Sequence, residues 1–469
     1  MGTKGQDRIE RDSMGEVAVP AEAYYGASTR RAVLNFPLSG QCFSRRFIRA
    51  LGLIKWGAAV VNRRLGLLDD RLAEAIAEAA REVAEGRLDD QFPVDVFQTG
   101  SGTSTNMNAN EVIANRALEL LGHDRGDYDR CHPNNHVNLS QSTNDAYPTA
   151  VRVAVVLELA ELLAVLRDLE DALRSKAADF SDILKMGRTQ LQDAVPMTLG
   201  QEFDALAATT DEDIARLEET ARLILEVNLG GTAIGTGINA APSYPQLAVN
   251  ELAAITGLEL VLAPNLVEAT PDTGAFVSFS GVLKRVAVKL SKLCNDLRLL
   301  SSGPRCGLNE INLPAVQPGS SIMPGKVNPV IPEVVNQVAF QVIGNDLTIT
   351  MAAEAGQLQL NVMEPIISFA IFESLDMLTA AVRTLSDRCI RGITVNAEHC
   401  REMVEASIGL VTAVVPAIGY EAASEVAKEA LGTGRPVREI ILERRLLSGE
   451  DLDRILSPEA MTAPRPLSG

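Results

Sequence analysis

The sequence predicts an all-α fold built around a central bundle of five long helices. Aromatic residues are only 4% of the 469 residues, whereas β-sheets favour aromatic and β-branched side chains. Between Val151 and Phe180, apolar residues recur at steps of three and four over many turns, which is the pattern of a long helix in a bundle. Four more segments share this pattern: Thr198–Val227, Ser278–Leu300, Pro332–Ala352 and Pro365–Arg391. Their lengths predict an elongated bundle.

Shorter helical patterns flank the bundle on both sides. Leu72–Glu85 and Asn110–Leu121 are the clearest of them before the bundle, and short patterns return from Asn396 onward. Glycine, proline and asparagine concentrate between these segments and predict loops. The changes in pattern predict a mostly helical N-terminal domain over 1–145, a central long-helix domain over 146–395 and a small helical C-terminal domain over 396–469.

The charge and the cysteine content argue against several functional classes. A net charge of −18 disfavours nucleic acids and anionic membranes as partners, because both bind basic surfaces. The six cysteines and four histidines are scattered without metal-ligand spacing, so we expect no metal site, and free thiols in a reducing cytoplasm. We find no apolar stretch of a signal peptide at the N-terminus and no run of about 18 apolar residues. These observations predict a cytoplasmic protein.

Three polar clusters stand near the ends of helical segments: Gly100–Asn108, Gln141–Thr149 and Gly187–Ala194. Hydroxyl and amide side chains ahead of a helix are typical N-caps, and each cluster taken singly is best explained as a cap or a turn. The same arrangement also presents backbone N–H groups to an anion. Because the whole chain is acidic, Arg188 and Lys326 are the basic residues of interest for attracting an anionic substrate.

The segment Gly319–Pro329 combines two glycines, two prolines, two adjacent hydroxyls, one lysine and one asparagine. Glycine and proline punctuate the backbone, so this segment is predicted to be a loop, and one that moves. Such a loop offers a hydroxyl as a base, backbone N–H groups for an oxyanion and Lys326 for a carboxylate.

Two glycine-containing segments resemble nucleotide-binding motifs only superficially. Gly231, Gly235 and Gly237 lack the G-x-G-x-x-G spacing, and a helical pattern precedes them instead of a strand. Gly325-Lys326 is followed by Val327 instead of serine or threonine, so it is not a P-loop. We therefore expect no nucleotide cofactor.

The string from Gly319 to Pro329, G-S-S-I-M-P-G-K-V-N-P, resembles the signature of the fumarase/aspartase superfamily. The three polar clusters resemble other characteristic regions of that superfamily, in the same order, and the resemblance runs from Ala21–Gly26 to Val437–Glu443. It implies a three-domain, all-α fold with a long five-helix bundle in each chain. It also implies a homotetramer with a twenty-helix core, in which three subunits share each active site.

Within the superfamily, four strings resemble aspartases more than fumarases: Asp90–Val96, Ser142–Tyr147, Val330–Val338 and Ala352–Asn361. The resemblance implies a carbon–nitrogen lyase that converts L-aspartate to fumarate and ammonia, reversibly and without a cofactor, by anti elimination. A class II fumarase, which hydrates fumarate, is the alternative. A structural protein that has lost its catalytic residues is a third possibility, and the presence of Ser320, Lys326 and Asn328 weighs against it.

The same resemblance implies a role for each candidate residue. Ser320 is the implied base, and Asn144 binds the amino group or the carboxylate near it. The groups around the β-carboxylate, whose charge grows in the transition state, are Thr103, Ser142, Thr143 and Ser321. The groups around the α-carboxylate are Lys326, Asn328, Thr189 and Gln190. Metal ligands are not implied.

One string departs from the pattern of the superfamily. His132–Asn135 reads H-P-N-N, whereas family members, particularly fumarases, often carry an acidic residue in it. In fumarases this string forms a secondary anion site. The resemblance therefore does not extend to such a site here.

Overall fold

A computed structural model of the chain describes residues 7–463, and most of them are helical. The all-α prediction is confirmed. The five long helices are α5 (Thr143–Asp179), α6 (Leu199–Ile224), α10 (Gly274–Leu300), α11 (Val330–Glu354) and α12 (Glu364–Arg388). Four of them match the predicted segments to within a few residues at each end. The fifth, α5, begins at Thr143 instead of Val151.

The early start of α5 has a physical explanation in Pro148. Proline has no backbone N–H, so the carbonyl of Asn144 loses its normal partner within the helix. The Asn228 side chain supplies one instead, because its Nδ2 donates to the Asn144 carbonyl oxygen over 3.0 Å. The helix therefore continues through the proline toward its N-terminus, which the sequence pattern alone did not predict.

The shorter helices lie before, between and after the long ones. Those before and between are α1 (Ala27–Asn35), α2 (Arg45–Arg64), α3 (Asp70–Ala84), α4 (Thr103–Leu120), α7 (Thr232–Gly235), α8 (Tyr244–Thr256) and α9 (Leu266–Ala269). The C-terminal ones are α13 (Ala397–Ala406), α14 (Val411–Ile418), α15 (Tyr420–Thr433), α16 (Val437–Glu443), α17 (Gly449–Ile455) and α18 (Pro458–Thr462). The predicted helices Leu72–Glu85 and Asn110–Leu121 correspond to α3 and to the second part of α4.

The strands of residues 7–463 form four small two-stranded sheets. Three are antiparallel and one, β5 with β6, is parallel. The pairs are β1 (Arg8–Asp12) with β2 (Gly15–Val19), β3 (Leu184–Thr189) with β4 (Gln192–Thr198), β5 (Glu226–Val227) with β6 (Val261–Leu262), and β7 (Ile311–Asn312) with β8 (Thr394–Val395). Of these, the β3–β4 hairpin carries predicted site residues.

The chain divides into two compact units, and the division falls within each of the five long helices. Unit 1 comprises residues 1–163, 215–286 and 340–378, and unit 2 comprises residues 164–214, 287–339 and 379–469. The core of unit 1 includes an aromatic cluster in which the Phe47 ring lies 5.1 Å from Tyr147 and 5.5 Å from Phe372, centroid to centroid. The three-domain division at residues 145 and 395 stays a prediction.

The core of unit 2 includes an apolar cluster formed largely by the C-terminal helices. Its buried members include Val404, Val426, Ile440 and Leu452. Met186 of β3 joins the same cluster, so the β3–β4 hairpin is anchored to the C-terminal segment.

The stretch Glu364–Gly392, which contains α12, is a long and apolar helical segment. By length and composition it could cross a membrane, with a mean hydropathy of 1.5 over its most apolar window. In the fold, 67% of that window is buried within the protein. The core helices of soluble proteins meet the same criterion, so this composition alone does not indicate a membrane span.

Candidate active site

Ser142 is the N-cap of α5. Its Oγ accepts the N–H of Asn144 over 3.3 Å, and the Asp145 carboxylate accepts the N–H of Ser142 over 2.8 Å. The two bonds resemble a capping box with aspartate in the place of glutamate, except that the serine accepts the N–H of the second helical residue instead of the third. The capping role expected for this cluster is therefore present, and it fixes the direction of the first turn of α5.

Asp145 and Lys55 are buried beneath this turn. Asp145 also accepts the N–H of Gly230 over 2.7 Å, and burial raises the pKa of Asp145 to about 6. Lys55 is 0% exposed, and burial lowers its pKa to about 7. Lys55 Nζ donates to Asn138 Oδ1 over 2.9 Å and to Gln141 Oε1 over 3.0 Å.

Asn106 of α4 connects this buried group to the predicted site. Its Nδ2 donates to Thr143 Oγ1 over 3.0 Å and to Asn138 Oδ1 over 3.3 Å. We refer to Lys55, Asn106, Asn138 and Gln141 as the Lys55 network. The network fixes the Thr143 hydroxyl from below, so Thr143 is held in place by the protein before any ligand binds.

The Asn144 side chain has one end engaged and one end free. Its Nδ2 donates to the Ala233 carbonyl oxygen over 2.7 Å. No donor to its Oδ1 is found among residues 7–463, and the side chain is only partly buried. An amide oxygen oriented in this way is an acceptor for a cationic donor such as an amino group.

Thr103 begins α4, and a close packing contact brings this helix against α5. Gly102, the N-cap of α4, has φ of 83° and approaches the Tyr147 ring so closely that a Cβ would lie 2.2 Å from it. Only glycine fits there. Together with the Asn106–Thr143 hydrogen bond, this contact places the first turns of α4 and α5 side by side in unit 1. Thr103 also lines a cavity of about 570 Å³, and His132 and Asn134 are among the other residues that line it.

The H-P-N-N string uses its own backbone groups. His132 Nδ1 accepts the N–H of Asn134 over 3.0 Å and of Asn135 over 3.3 Å. The His132 N–H in turn donates to His136 Nδ1 over 2.8 Å. Burial lowers the pKa of both histidines, which favours the neutral rings that accept these bonds. The N–H groups that an anion would need here are already engaged.

Thr189 and Gln190 lie at the exposed tip of the β3–β4 hairpin in unit 2. Thr189 pairs with Gln192, so Gln190 and Leu191 form a two-residue turn, with φ of 53° and 60° respectively. This is the type I′ geometry, which usually takes asparagine and glycine. Two larger side chains in left-handed conformations cost roughly 1–2 kcal/mol each, and such strain is frequent at functional sites.

Ser320 lies in the exposed loop Gly319–Pro329 of unit 2, which we call the Ser320 loop. Its Oγ accepts the N–H of Met323 over 3.1 Å and of Ile322 over 3.3 Å. Two backbone donors directed at one hydroxyl oxygen favour its ionised form. The predicted base therefore has two backbone donors that would stabilise a negative charge on its oxygen.

The two ends of the Ser320 loop are held together by polar groups of the loop itself. The N–H of Gly319 donates to the Lys326 carbonyl oxygen over 2.9 Å, and Asn328 Nδ2 donates to the Gly319 carbonyl oxygen over 2.6 Å. A Cβ on Gly319 would lie 2.3 Å from the Lys326 carbonyl oxygen, so the close approach requires glycine. The Lys326 ammonium has no ion-pair partner in the part of the chain that the structure describes. Lys326 and Asn328 line a cavity of about 540 Å³.

The structure thus places the predicted residues in three groups. Thr103, Ser142, Thr143 and Asn144 lie at the adjoining ends of α4 and α5 in unit 1. Thr189 and Gln190 lie on the hairpin, and Ser320, Ser321, Lys326 and Asn328 lie in the Ser320 loop. Hydrogen bonds between the hairpin residues and the loop residues are absent from the described part of unit 2.

Arg188 does not serve as a free cation. Its guanidinium donates to the buried Glu310 carboxylate over 2.6 Å.

Residues that the sequence analysis missed include Lys55, Asn106, Asp145, Asn228 and Glu310. Lys55 carried a signal as a lysine within the apolar run Ala50–Val61, and Asn106 and Asp145 lie inside two of the polar clusters, where no separate role was predicted for them. Within residues 7–463 we find no group of three or more His, Cys, Asp or Glu side chains placed to hold a metal ion.

Comparison with known proteins is consistent across the chain. A family model described as lyase matches residues 15–344, and a second, described as fumarase C C-terminus, matches residues 410–463. An aspartate ammonia-lyase from Pseudomonas fluorescens is 61% identical over 99% of this chain and 98% of its own length. An aspartate ammonia-lyase from Escherichia coli K12 is 55% identical over 97% of this chain and 96% of its own length.

Solved structures of similar fold include two lyases. The fumarate lyase:delta crystallin from Brucella melitensis, bound to cobalt, has a TM-score of 0.95 and 57% identity, covering 98% of this chain and all of that one (100%). The class II fumarase from Schistosoma mansoni has a TM-score of 0.93 and 38% identity, with coverage of 98% and 100%. The fold is shared by both, whereas the identity is much higher to the aspartate ammonia-lyases than to the fumarase.

Proposed function

The chain belongs to the fumarase/aspartase superfamily of lyases, and from this premise we propose that it is an aspartate ammonia-lyase. Full-length identity of 55–61% to relatives with that name, against 38% to a class II fumarase, supports the aspartase branch. The structural observation that carries the chemistry is the Ser320 hydroxyl, which accepts two backbone N–H groups in an exposed loop. The same loop carries Lys326, for which residues 7–463 provide no ion-pair partner.

The reaction requires removal of a weakly acidic proton from the carbon next to the β-carboxylate. The resulting carbanion is tolerable only when its charge flows into that carboxylate and forms an enediolate. A site that stabilises the developing charge more strongly than the substrate's own charge accelerates this step. The N–H groups at the first turns of α4 and α5, and the hydroxyls of Thr103, Ser142 and Thr143, are the donors for it, joined by Ser321.

Ser320 acts as the base, and its alkoxide is stabilised by the N–H groups of Ile322 and Met323. Closure of the Ser320 loop over the substrate would exclude water and strengthen those interactions. Lys326 binds the α-carboxylate with Asn328, and Thr189 and Gln190 complete that side. Asn144 Oδ1, which accepts no bond within the described residues, accepts a hydrogen bond from the substrate ammonium. The electron pair left on the β-carbon forms the double bond to the α-carbon as the C–N bond breaks, and ammonia leaves on the face opposite to the abstracted proton, which makes the elimination anti.

We further propose that the protein is a soluble, cytoplasmic homotetramer with three-domain subunits and a twenty-helix core. A row of apolar side chains on α11 supports an assembly through the long helices. Phe340, Leu347 and Met351, which lie on one face of this helix, are 63%, 62% and 64% exposed. Extended apolar patches of this kind are uncommon on monomers. Each active site would then combine Thr143 and Asn144 from one subunit, Thr189 and Gln190 from a second and the Ser320 loop from a third.

A direct assay separates the proposed activity from its alternative. We expect fumarate to form from L-aspartate, followed by its ultraviolet absorbance, with negligible formation from L-malate under the same conditions. Comparable turnover of L-malate would replace the aspartase assignment by a fumarase. Release of one ammonia for each fumarate provides the matched check that the product arises by elimination of the amino group.

The shared site is tested by mixing two inactive variants. Ser320→Ala and Asn144→Ala each remove one group that comes from a different subunit. After joint dissociation and reassembly, some hybrid sites draw all their groups from unaltered segments, so we expect partial activity. Mixed tetramers that form by native mass, yet remain as inactive as either parent, would contradict the shared-site arrangement.

A further inference from the structure

Glu310 is a completely buried carboxylate outside the proposed catalytic groups. Its exposed fraction is 0%, and its Oε1 accepts a bond from Arg188 over 2.6 Å, while its Oε2 lies 2.9 Å from Lys185 Nζ. Lys185 also forms an ion pair with Glu202, so the cluster contains two cations and two anions. Pairs of this kind are costly to break, because the remaining charge stays buried without a partner.

The main chain of Glu310 is fixed as firmly as its side chain. Its N–H donates to the Leu300 carbonyl oxygen over 2.9 Å, and its carbonyl oxygen accepts the N–H of Asn396 over 2.9 Å. Strand β7 follows immediately and pairs with β8. The chain leaves β7 toward the Ser320 loop, so the start of that connection is held at Glu310.

Arg188 connects Glu310 to the strained hairpin turn. Arg188 and Asp193 are cross-strand partners, one pair below the paired residues that flank the turn. Each is attached to another part of unit 2, Arg188 to Glu310 and Asp193 to the Ser407 hydroxyl over 2.8 Å. The hairpin is thus clamped on both strands beneath Gln190 and Leu191, whose left-handed conformations persist only when the surroundings impose them.

We propose that Glu310 is a positioning residue for substrate binding: through Arg188 it holds the hairpin that presents Thr189 and Gln190, while its backbone holds the start of the Ser320 connection. The inference rests on the proposed function. In a site shared by three subunits, the hairpin and the Ser320 loop of one chain enter different active sites. Glu310 therefore ties a binding element of one site to the base-bearing element of another.

Arg188→Met and Lys185→Met form a matched pair of variants for the test. Each removes one cation from the same carboxylate, but only Arg188 adjoins Thr189. We expect Arg188→Met to raise KM for L-aspartate about tenfold with kcat changed less than about threefold. This corresponds to about 1.4 kcal/mol of lost binding. Lys185→Met is expected to lower the Tm at least as much while KM stays within about twofold. Equal changes in KM would overturn the proposal.

Glu310→Gln distinguishes positioning from a direct contact of Arg188 with substrate. Because the Glu310 carboxylate is completely buried, it does not contact the substrate itself, and we expect its side chain to affect binding through Arg188. We expect Glu310→Gln to raise KM as Arg188→Met does, and the double variant to be no worse in KM than the worse single one. An unchanged KM in folded Glu310→Gln would contradict the proposal. Should that variant not fold, Ser407→Ala releases the other strand of the clamp and is expected to raise KM about threefold; no rise there would also overturn it.

The wild type serves as the reference in every assay. If it does not form fumarate from L-aspartate, the proposed function fails, regardless of the variants. If it does, and the KM values follow the Tm values across the variants instead of following the connection to Arg188, only the positioning role fails.

Discussion

The first turn of α5 and the Ser320 loop differ in how completely one chain prepares them for chemistry. At α5, Ser142 Oγ accepts the N–H of Asn144, and the Asp145 carboxylate accepts the N–H of Ser142. Thr143 Oγ1 accepts a bond from Asn106, and both Asp145 and Asn106 are buried. In the Ser320 loop, the hydrogen bonds are local and the tip is open to solvent, with Ile322 83% exposed. The groups proposed to bind the β-carboxylate are therefore preorganised, whereas the base still requires an enclosure.

This difference indicates how the two parts are expected to respond to substitution. The preorganised groups are proposed to bind the β-carboxylate in the substrate and more strongly in the transition state, so their loss is expected to raise KM and to lower kcat. A base that acts only on closure contributes mainly to the transition state, so its loss lowers kcat. The predictions below test this contrast, from the largest expected effect to the smallest.

Ser320→Ala should have the largest effect. We expect kcat to fall by about a thousandfold or more, which corresponds to about 4 kcal/mol, while L-aspartate still binds. Steady-state kinetics and direct binding measurements check the two halves of this statement. Ser321→Ala is the matched control, because it removes the neighbouring hydroxyl and should act less on kcat. Retention of a tenth of the wild-type rate by Ser320→Ala would remove the base assignment.

Lys326→Ala should weaken substrate binding by about a hundredfold, or about 2.7 kcal/mol. The ammonium is exposed and unpaired in the described part of the chain, so its loss breaks no ion pair there. Lys326→Arg should restore binding only partly, because guanidinium and ammonium differ in shape and hydration. Lys292→Ala changes the net charge equally on the exposed surface of α10 and should leave KM unchanged. A KM for Lys326→Ala equal to the wild-type value would refute the role.

Lys55→Met should change how stability depends on pH. Burial lowers the Lys55 pKa from its ordinary 10.5 to about 7, so between these values the unfolded chain binds a proton that the folded chain does not. The Lys55 contribution to the free energy of unfolding therefore rises with pH through this window, by up to about 1.4 kcal/mol per pH unit.

Urea unfolding of wild type and Lys55→Met at pH 7 and pH 9 measures this slope. The wild type should gain stability relative to the variant as the pH increases. Lys284→Met, at a lysine that is about half exposed, is the control and should give no such relative slope. Parallel pH profiles for wild type and Lys55→Met would show that Lys55 keeps its ordinary pKa, and would weaken the contrast between the buried and the exposed part of the site.

Leu191→Gly should have the smallest effect and the opposite sign. Leu191 is 70% exposed at φ of 60°, so glycine relieves left-handed strain at little cost in packing. We expect stabilisation of about 1 kcal/mol, measured as an increase in Tm. Leu191→Ala keeps the strain and should not increase the Tm. A destabilised Leu191→Gly would show that the Leu191 side chain contributes packing that offsets its strain.

Features of the fold and of the site that depend on residues close together in the sequence were predictable, whereas features that depend on residues far apart in the sequence were not. The long helices were predictable because apolar residues repeated every three or four positions indicate a helix directly. The motif residues were found because they are contiguous in sequence. The start of α5 was not predicted, because the side chain that replaces the missing donor of Pro148 comes from Asn228. The roles of Lys55, Asn106 and Glu310 were not predicted for the same reason, because each forms its hydrogen bond or ion pair with a residue distant in sequence.

The apolar row on α11 has a consequence for handling the protein at low concentration. If other copies cover Phe340, Leu347 and Met351, folding and assembly become linked by mass action. Dilution then lowers the Tm, and it also separates the segments that share an active site. Specific activity should decline below a threshold concentration and recover on concentrating, with a lag set by reassembly. Progress curves started from dilute stocks would bend upward for a reason unrelated to the chemistry of elimination.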